Sequence, residues 1–216
     1  MPPEKTSAPA KRRRLPPQER REEILGKAVE LFAEHGLESS TRELARQLGI
    51  TQPLLFRYFP SKEDLIREVY ETIYLGRWNL EWDLLLFDRS RPLDQRLCAF
   101  YDSYTDAVFT REWMRIYLFS GLRGAEINRW YIDLLEERIL QRIVREYRHA
   151  AGLDDEATPS PEELELAWAL HSGIFYIGVR EHVYDLPPVE DRRTVIANTV
   201  RVFDMGIRAY FSGARS

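Results

Sequence analysis

The stretch TQPLLFRYFPSKEDL (51–65) contains a glutamine, an arginine and a lysine, and three of its four residues at positions 56–59 are aromatic, one of them a tyrosine. Arginine pairs bidentately with guanine O6 and N7, and glutamine pairs with adenine N6 and N7, whereas tyrosine hydroxyls and lysine ammonium groups bind phosphates. Gln52, Arg57, Tyr58 and Lys62 therefore have the chemistry of a surface that contacts DNA. The alternative is a run of rings buried in a core, and the neighbouring elements decide between these two interpretations.

The flanking residues predict a series of helices that would position this segment. Apolar residues recur at three- and four-residue spacing from Gln18 to His35, which predicts an amphipathic helix that Gly36 can end. Ser40 and Glu43 have the spacing of a capping box, and Thr51 can cap a short third helix. A long fourth helix is expected after the next proline. This layout is typical of a three-helix DNA-binding module joined to a connecting helix.

Residues 20–66 resemble the DNA-binding domain of TetR-family transcriptional regulators. The matching stretches are ILGKAVELFAEHG, STRELARQLGI and TQPLLFRYFPSKEDL, which correspond to the first helix, the second helix, and the recognition helix with the start of the fourth. The resemblance implies an all-α fold with a helix-turn-helix domain, a connecting helix and a larger helical ligand-binding and dimerisation domain. The residues that it places at the DNA are Thr41, Arg42, Gln52, Pro53, Leu54, Phe56, Arg57, Tyr58 and Lys62.

Two of these positions depart from the family's pattern. Position 56, often a tyrosine in the family, is a phenylalanine, so Phe56 lacks a hydroxyl for a phosphate contact. Leu54 stands where a small polar residue is common, and it would read only an apolar feature such as a thymine methyl group. Thr41, at the start of the second helix, offers a hydroxyl and backbone N–H groups to a phosphate.

The charge is unevenly distributed along the chain. Of 31 Lys and Arg and 35 Asp and Glu residues, residues 1–62 hold 12 and 8, which gives this end a net charge of +4 and the remainder −8. A basic end on an acidic body indicates that one part touches a polyanion. Residues 1–16 hold four prolines and the run KRRR (11–14), and they predict a flexible basic arm. The arm is either a solvated tail or a segment that reaches phosphates or the minor groove.

Several functional classes find no support in the sequence. The single Cys98 excludes an internal disulfide framework, and no apolar stretch approaches the roughly 20 residues of a membrane span. His171 and His182 lie eleven residues apart, too far for a metal pair on one helix, and no nucleophile has an identifiable base. We therefore expect a cytoplasmic protein that is not an enzyme and uses no metal or cofactor.

The end of the chain predicts two long helices, from about 161 to 184 and from about 190 to 211. Ser160, Pro161 and Glu163 form a strong helix start. Both helices are apolar on more than one face, so each must cover its own core and a second surface. The same pair of helices in another copy would provide this second surface, which predicts a homodimer built on a two-fold four-helix bundle.

The middle of the chain is rich in aromatic rings. Most such rings are core residues, but this many in one small domain could enclose a pocket for a mostly apolar ligand. The resemblance implies such a pocket, with an effector of unknown identity that alters DNA affinity. The candidate ligand-binding residues are Trp82, Tyr104, Trp113, Tyr117, Trp130, Trp168, His171 and Phe175.

These observations favour a ligand-responsive transcriptional regulator with a basic arm (1–16), a helix-turn-helix domain (17–62) and an effector-binding and dimerisation domain (63–216). The expected partners are a double-stranded palindromic DNA operator, a second copy of the chain, and a small molecule whose binding releases a repressor from DNA. Two alternatives stay open: a DNA-binding regulator without a small-molecule effector, which would have a filled core, and a helical enzyme, which would have converging titratable groups in a cleft.

Overall fold

The computed structural model describes residues 15–123 and 126–213. Within these ranges the chain is helical and has no β-strand, which confirms the predicted all-α class. The helices are α1 (Pro17–His35), α2 (Thr41–Leu48), α3 (Gln52–Tyr58), α4 (Lys62–Ile73), α5 (Glu81–Phe87), α6 (Leu93–Val108), α7 (Arg111–Gly121), α8 (Glu126–Leu135), α9 (Gln141–Ala150), α10 (Pro161–His182) and α11 (Arg192–Gly213). A 3-10 turn (Leu75–Arg77) follows α4, and a π-helical turn (Glu136–Leu140) joins α8 to α9. The predicted basic run at 11–14 lies outside the described residues.

The first three helices share one small hydrophobic core. Phe32 of α1, Leu44 and Leu48 of α2, and Leu55 of α3 are all buried in it, together with Phe59 just after α3. Burial of these side chains fixes the three short helices relative to one another, since a helix of seven or eight residues is marginal by itself. The short recognition helix therefore depends on its packing for its structure.

Side-chain caps begin these helices largely as predicted. Ser40 Oγ accepts a hydrogen bond from the Glu43 amide at 3.1 Å, and Thr51 Oγ1 accepts one from the Leu54 amide at 3.3 Å. The reverse half of the predicted capping box is replaced, because the Glu43 carboxylate binds Arg46 at 2.7–2.8 Å. Hydrogen bonds from Arg46 and from the next residue, Gln47, lower the pKa of Glu43 to about 2.

The connecting helix α4 is shorter than the sequence suggests. Ser61 caps it by accepting a hydrogen bond from the Asp64 amide at 3.0 Å, and it ends at Ile73, after twelve residues. Tyr74 follows with its side chain only 1% exposed, and the 3-10 turn redirects the chain toward α5. The aromatic residues that would have extended a straight helix are instead buried in the body of the molecule.

Helix α7 joins the body to the first helix. Arg115 donates hydrogen bonds to the Ala33 carbonyl at 2.5 Å and to the Glu34 carbonyl at 3.2 Å, which are among the last carbonyls of α1. Arg111 forms an ion pair with the Glu34 carboxylate at 2.6 Å. Carbonyls at a helix C-terminus lack intrahelical partners and carry partial negative charge, so a guanidinium satisfies them well.

The last two helices lie close to their predicted positions. The Ser160–Glu163 capping box is complete, with Ser160 N donating to Glu163 Oε2 at 2.7 Å. Gly178 allows α10 to pack tightly, because a Cβ at this position would lie 2.8 Å from the Phe109 ring. Among the described residues no helix is long and apolar enough to cross a membrane.

A buried carboxylate holds the α5–α6 connection against α9. Glu146 is 1% exposed and receives Arg89 at 2.9 Å, Arg96 at 2.7 Å and Arg142 at 2.8 Å. Arg96, which is 5% exposed, also donates to the Leu86 carbonyl at the end of α5. Burial raises the pKa of Glu146, but the hydrogen bonds from Arg89 and Arg96 and the charge of Arg142 outweigh it, so the pKa lies below 4.5.

We predict that Glu146→Gln lowers the free energy of unfolding by about 3 kcal/mol, because it leaves the buried Arg96 without its counter-charge. Urea denaturation at pH 7 measures this, and the exposed Glu165→Gln is the matched control, with an expected change within about 0.5 kcal/mol. The ionised carboxylate stabilises the fold fully above pH 4.5, and its contribution is lost as the pH falls through the lowered folded-state pKa. The difference between wild type and Glu146→Gln should therefore shrink below pH 4.5, and equal unfolding curves at pH 7 would contradict the assignment.

Candidate functional site

Helix α3 presents one face to the core and the opposite face to solvent. Leu55 and Phe59 are 0% exposed, whereas Pro53 and Arg57 lie on the other side and are exposed. Each pair is four residues apart and shares a helix face, so burying the first pair necessarily turns the second outward. The predicted base-reading arginine is therefore held at the surface by the packing of its neighbours.

The starts of α2 and α3 are joined by a side-chain hydrogen bond. Gln52, the first residue of α3, donates from Nε2 to Oγ1 of Thr41, the first residue of α2, at 2.9 Å. The structure thus brings two of the predicted DNA-contacting residues together. It also gives Gln52 a structural task, because its amide helps to set the angle between the two helices.

A surface groove runs between α3 and the beginning of α1. Leu54, Arg57 and Tyr58 line one side of it, and Pro17 and Arg20 are among the residues on the other. Residues 15 and 16 also line this groove, so the predicted arm joins the described chain at the same surface as the recognition helix.

The other predicted DNA contacts differ in exposure. Arg42 is exposed, Lys62 at the start of α4 is half-buried, and Phe56 is half-buried against the hydrophobic core. The absence of a hydroxyl at position 56 is consistent with this packing, because the ring lies partly where a phenol would need a polar partner.

A second feature is a cavity of about 260 Å³ in the body of the molecule. It lies between α6, α7, α8 and α10, and its lining residues are Tyr104, Tyr117, Tyr131, Leu135, Trp168, His171, Ser172, Phe175 and Tyr176. Among the described residues, no lining side chain other than His171 is basic, and none is acidic.

The polar atoms around the cavity are sparsely paired. The Tyr104 hydroxyl lies 3.5 Å from His171 Nε2, and Trp168 donates from Nε1 to the Glu136 carboxylate at 3.2 Å. The Tyr131 hydroxyl has only the neighbouring Tyr104 hydroxyl to interact with, and His171 Nδ1 has no hydrogen-bond partner among the described residues. Burial lowers the pKa of His171 to about 4 and raises the pKa of Tyr104 and of Tyr131. The imidazole and the two hydroxyl groups are therefore neutral at pH 7.

The structure divides the eight predicted ligand-binding residues into two groups. Five of them line the cavity: Tyr104, Tyr117, Trp168, His171 and Phe175. Trp82 and Trp113 are buried behind its wall, with ring centroids 5.4 Å from Tyr104 and 4.9 Å from Tyr117 respectively. Trp130 is 40% exposed and is not among the lining residues.

Four lining residues are absent from the sequence-based set: Tyr131, Leu135, Ser172 and Tyr176. Tyr131 and Leu135 are four residues apart on α8, so their shared helix face was a signal for both. Trp130, which the sequence-based set includes, is the neighbour of Tyr131, and the two differ by one position in helix phase.

The cavity wall is in direct contact with the end of α4. The Tyr74 ring lies 5.5 Å from Tyr131, 6.2 Å from Tyr117 and 5.5 Å from Trp113. Tyr70, one turn earlier on α4, stacks on Tyr74 at 5.6 Å. The rings that enclose the cavity and the rings that anchor α4 therefore form one continuous cluster.

The described residues contain no group of three or more His, Cys, Asp or Glu side chains placed to hold a metal ion. What the geometry provides is an exposed helix surface with basic and amide side chains at one end, and a ring-lined cavity at the other.

Comparison with known proteins gives consistent results. Residues 24–69 match the model of the family described as "Bacterial regulatory proteins, tetR family". Over 137 residues the chain is 26% identical to the HTH-type transcriptional repressor KstR2 of Mycolicibacterium smegmatis, a match that covers 57% of this chain and 66% of KstR2. Over 73 residues it is 37% identical to the nucleoid occlusion factor SlmA of Mannheimia succiniciproducens, which covers 33% of each chain.

A solved structure extends the likeness to most of the fold. The TetR-like transcriptional regulator from Rhodococcus sp. RHA1 superimposes with a TM-score of 0.65 at 19% identity, covering 89% of this chain and all of that one. The fold and these matches define a helix-turn-helix, DNA-binding transcriptional regulator. Residues 24–69 therefore form a DNA-binding domain of the TetR family.

We predict that Arg57→Ala weakens binding to an operator selected from random DNA by roughly 5- to 150-fold, the value of one bidentate base contact. Quantitative footprinting measures the affinity, and selection should also lose its preference at one base pair of each half-site. Arg91→Ala removes the same charge from an exposed position before α6 and is the control, with affinity unchanged. If Arg57→Ala bound as tightly and as selectively as the wild type, α3 would not be the reading helix.

Proposed function

We propose that this protein is a ligand-responsive regulator, most simply a repressor, that binds a palindromic operator as a homodimer in the bacterial cytoplasm and is released by a mostly apolar small molecule. The observation that carries the proposal is the continuous ring cluster that joins the cavity wall to the end of α4 through Tyr74. Through this cluster, a ligand bound in the cavity can change the position of α4 and of the DNA-binding helices.

The surface around α3 supports the DNA-binding part of the proposal. Arg57 and Pro53 point outward, Thr41 and Gln52 meet at the helix starts, and the chain enters from residue 15 beside the same groove. In this proposal Gln52 and Arg57 meet base edges, whereas Tyr58 and Lys62 contact phosphates. The remaining predicted contacts are Thr41, Arg42, Pro53, Leu54 and Phe56.

The exposed faces of α10 and α11 support the homodimer. Tyr176 is 51% exposed on α10, and Val202, Met205 and Tyr210 are 70%, 70% and 46% exposed on α11. Large apolar side chains clustered on the outside of two neighbouring helices are typical of a covered interface. A two-fold pair of recognition helices reads a palindrome, with half-sites about one helical turn apart or a multiple of it.

The cavity and its contacts support the effector. A core without a ligand site would be filled, but here about 260 Å³ stays open between α6, α7, α8 and α10. A ligand changes DNA affinity only if it binds the two conformations unequally. A molecule that displaced Tyr117 or Tyr131 would move Tyr74 with them and so shift α4, whose first residue follows the recognition helix within four positions.

We predict that Met205→Glu prevents dimer formation, because it places a carboxylate in the proposed apolar interface without a partner. Sedimentation velocity at micromolar concentration should give a dimer for the wild type and a monomer for Met205→Glu. Leu122→Glu is the matched control, since Leu122 is 87% exposed and lies outside both helices, and it should remain dimeric. A monomeric wild type, or a Met205→Glu variant as dimeric as the wild type, would contradict the interface.

We also predict that replacing residues 11–14 by alanine weakens operator binding and flattens its salt dependence. Each phosphate contact that is lost should reduce the slope of log K against log salt by about 0.9 per arm. Fluorescence anisotropy at four salt concentrations measures the slope. A solvated tail without DNA contacts would leave the slope unchanged, and this result would remove the arm from the binding surface.

A further inference from the structure

The lining of the cavity restricts the chemistry of what it can hold. We propose that its ligand is an uncharged molecule of one or two rings that carries a hydroxyl or carbonyl group. This inference rests on the proposed function, because it takes the cavity as the effector site, and it adds the ligand's charge, size and polar group.

The shape of the site favours rings. The wall includes the rings of Tyr117, Trp168, Phe175 and Tyr131, with Tyr117 and Phe175 in edge-to-face contact at 5.6 Å. Aromatic side chains prefer offset-stacked or edge-to-face partners, and both are available to a flat ligand. The volume of about 260 Å³ is small for a ligand pocket and limits the occupant to one or two rings.

The described lining residues carry no charged side chain at pH 7, which argues against an anion. A buried carboxylate or phosphate needs a cation or several hydrogen-bond donors to offset its lost hydration. Of the described lining side chains only His171 is basic, and its low pKa keeps it neutral at pH 7.

The same wall argues against a cation. Rings alone can attract an ammonium group, so an aromatic cage was the strongest competing interpretation. However, none of the described lining side chains is acidic, so a buried ammonium group would have only ring faces to offset its lost hydration. The Glu136 carboxylate is not among the lining residues, and it already accepts a hydrogen bond from Trp168 Nε1.

Two buried polar atoms call for a polar group on the ligand. His171 Nδ1 is buried without a hydrogen-bond partner among the described residues. The Tyr131 hydroxyl is buried with only the Tyr104 hydroxyl to interact with, and both side chains belong to the wall. An unpaired buried group costs free energy that a partner recovers. A hydroxyl pairs with either atom as donor or acceptor, and a carbonyl accepts from the tyrosine.

Isothermal titration calorimetry of the full chain without DNA tests the charge assignment with four probes of one shape. These are naphthalene, 2-naphthol, 2-naphthoate and N,N,N-trimethyl-2-naphthylammonium at pH 7. We expect 2-naphthol to bind at least about tenfold more tightly than either charged probe, since only they lose hydration without compensation. Tighter binding of the carboxylate or the ammonium, or no binding of 2-naphthol, would overturn the inference.

Tyr131→Phe tests the polar group by a double-mutant cycle between protein and ligand. Removing the hydroxyl should weaken the binding of 2-naphthol about three- to tenfold, whereas the affinity for naphthalene should change by no more than about twofold. Equal loss for both probes would overturn the hydrogen bond, and the wild-type probe series stands even if this variant does not fold. The calorimetry contains no DNA, so it tests the ligand chemistry separately from the proposed function. If a probe binds as expected but leaves operator affinity unchanged in a separate DNA-binding assay, the proposed release is contradicted and the ligand chemistry is not.

Discussion

Tyr74 packs among Tyr70, Trp113 and Tyr131 at the point where α4 ends, and its side chain is 1% exposed. A ring buried on all sides cannot move without repacking its neighbours, because protein interiors are close-packed. Since Tyr131 also lines the cavity, the position of α4 and the contents of the cavity are parts of one packing arrangement. Everything that we propose about regulation follows from this shared constraint.

A second connection links the body to the DNA-binding end by a different interaction. Arg115 of α7 binds the last carbonyls of α1, while Tyr117, two residues later, lines the cavity. Hydrogen bonds from a charged donor contribute about 1.5–3 kcal/mol, so this joint is stronger than an ordinary surface contact. The three-helix unit is thus held at α1 by polar contacts and at α4 by packed rings. A small shift of α7 or α8 would act on both, which suits a two-state response better than a gradual one.

The sequence was most informative where local chemistry decides structure. Caps at Ser40, Thr51 and Ser61, a buried pair at Leu55 and Phe59, and the complete Ser160–Glu163 box were all readable from spacing. These features depend on neighbours within four residues, and so they led to the correct fold class and to the family whose DNA-binding domain residues 24–69 match. The side chains of residues 56–59 also differ in burial according to helix phase. Phe59 is buried in the core, Arg57 faces solvent, and Phe56 is half-buried.

Other features depend on contacts distant in sequence. The end of α4 at Ile73 follows from burial of Tyr74 among rings some 40 to 60 positions away, and Glu43 turned to Arg46 instead of completing its box. The cavity needed four helices in place before Tyr131 could be distinguished from its neighbour Trp130. Periodicity identifies which residues are apolar, but only tertiary packing determines which of them surround a space.

The central claim is that the cavity and the recognition helices are thermodynamically coupled through the Tyr74 cluster. Its most direct test is the dissociation constant for the selected operator, measured at one salt concentration with and without saturating 2-naphthol. The account predicts that the ligand raises this constant by about 5- to 150-fold, the usual range of allosteric coupling. Equal constants with the cavity occupied and empty would contradict it.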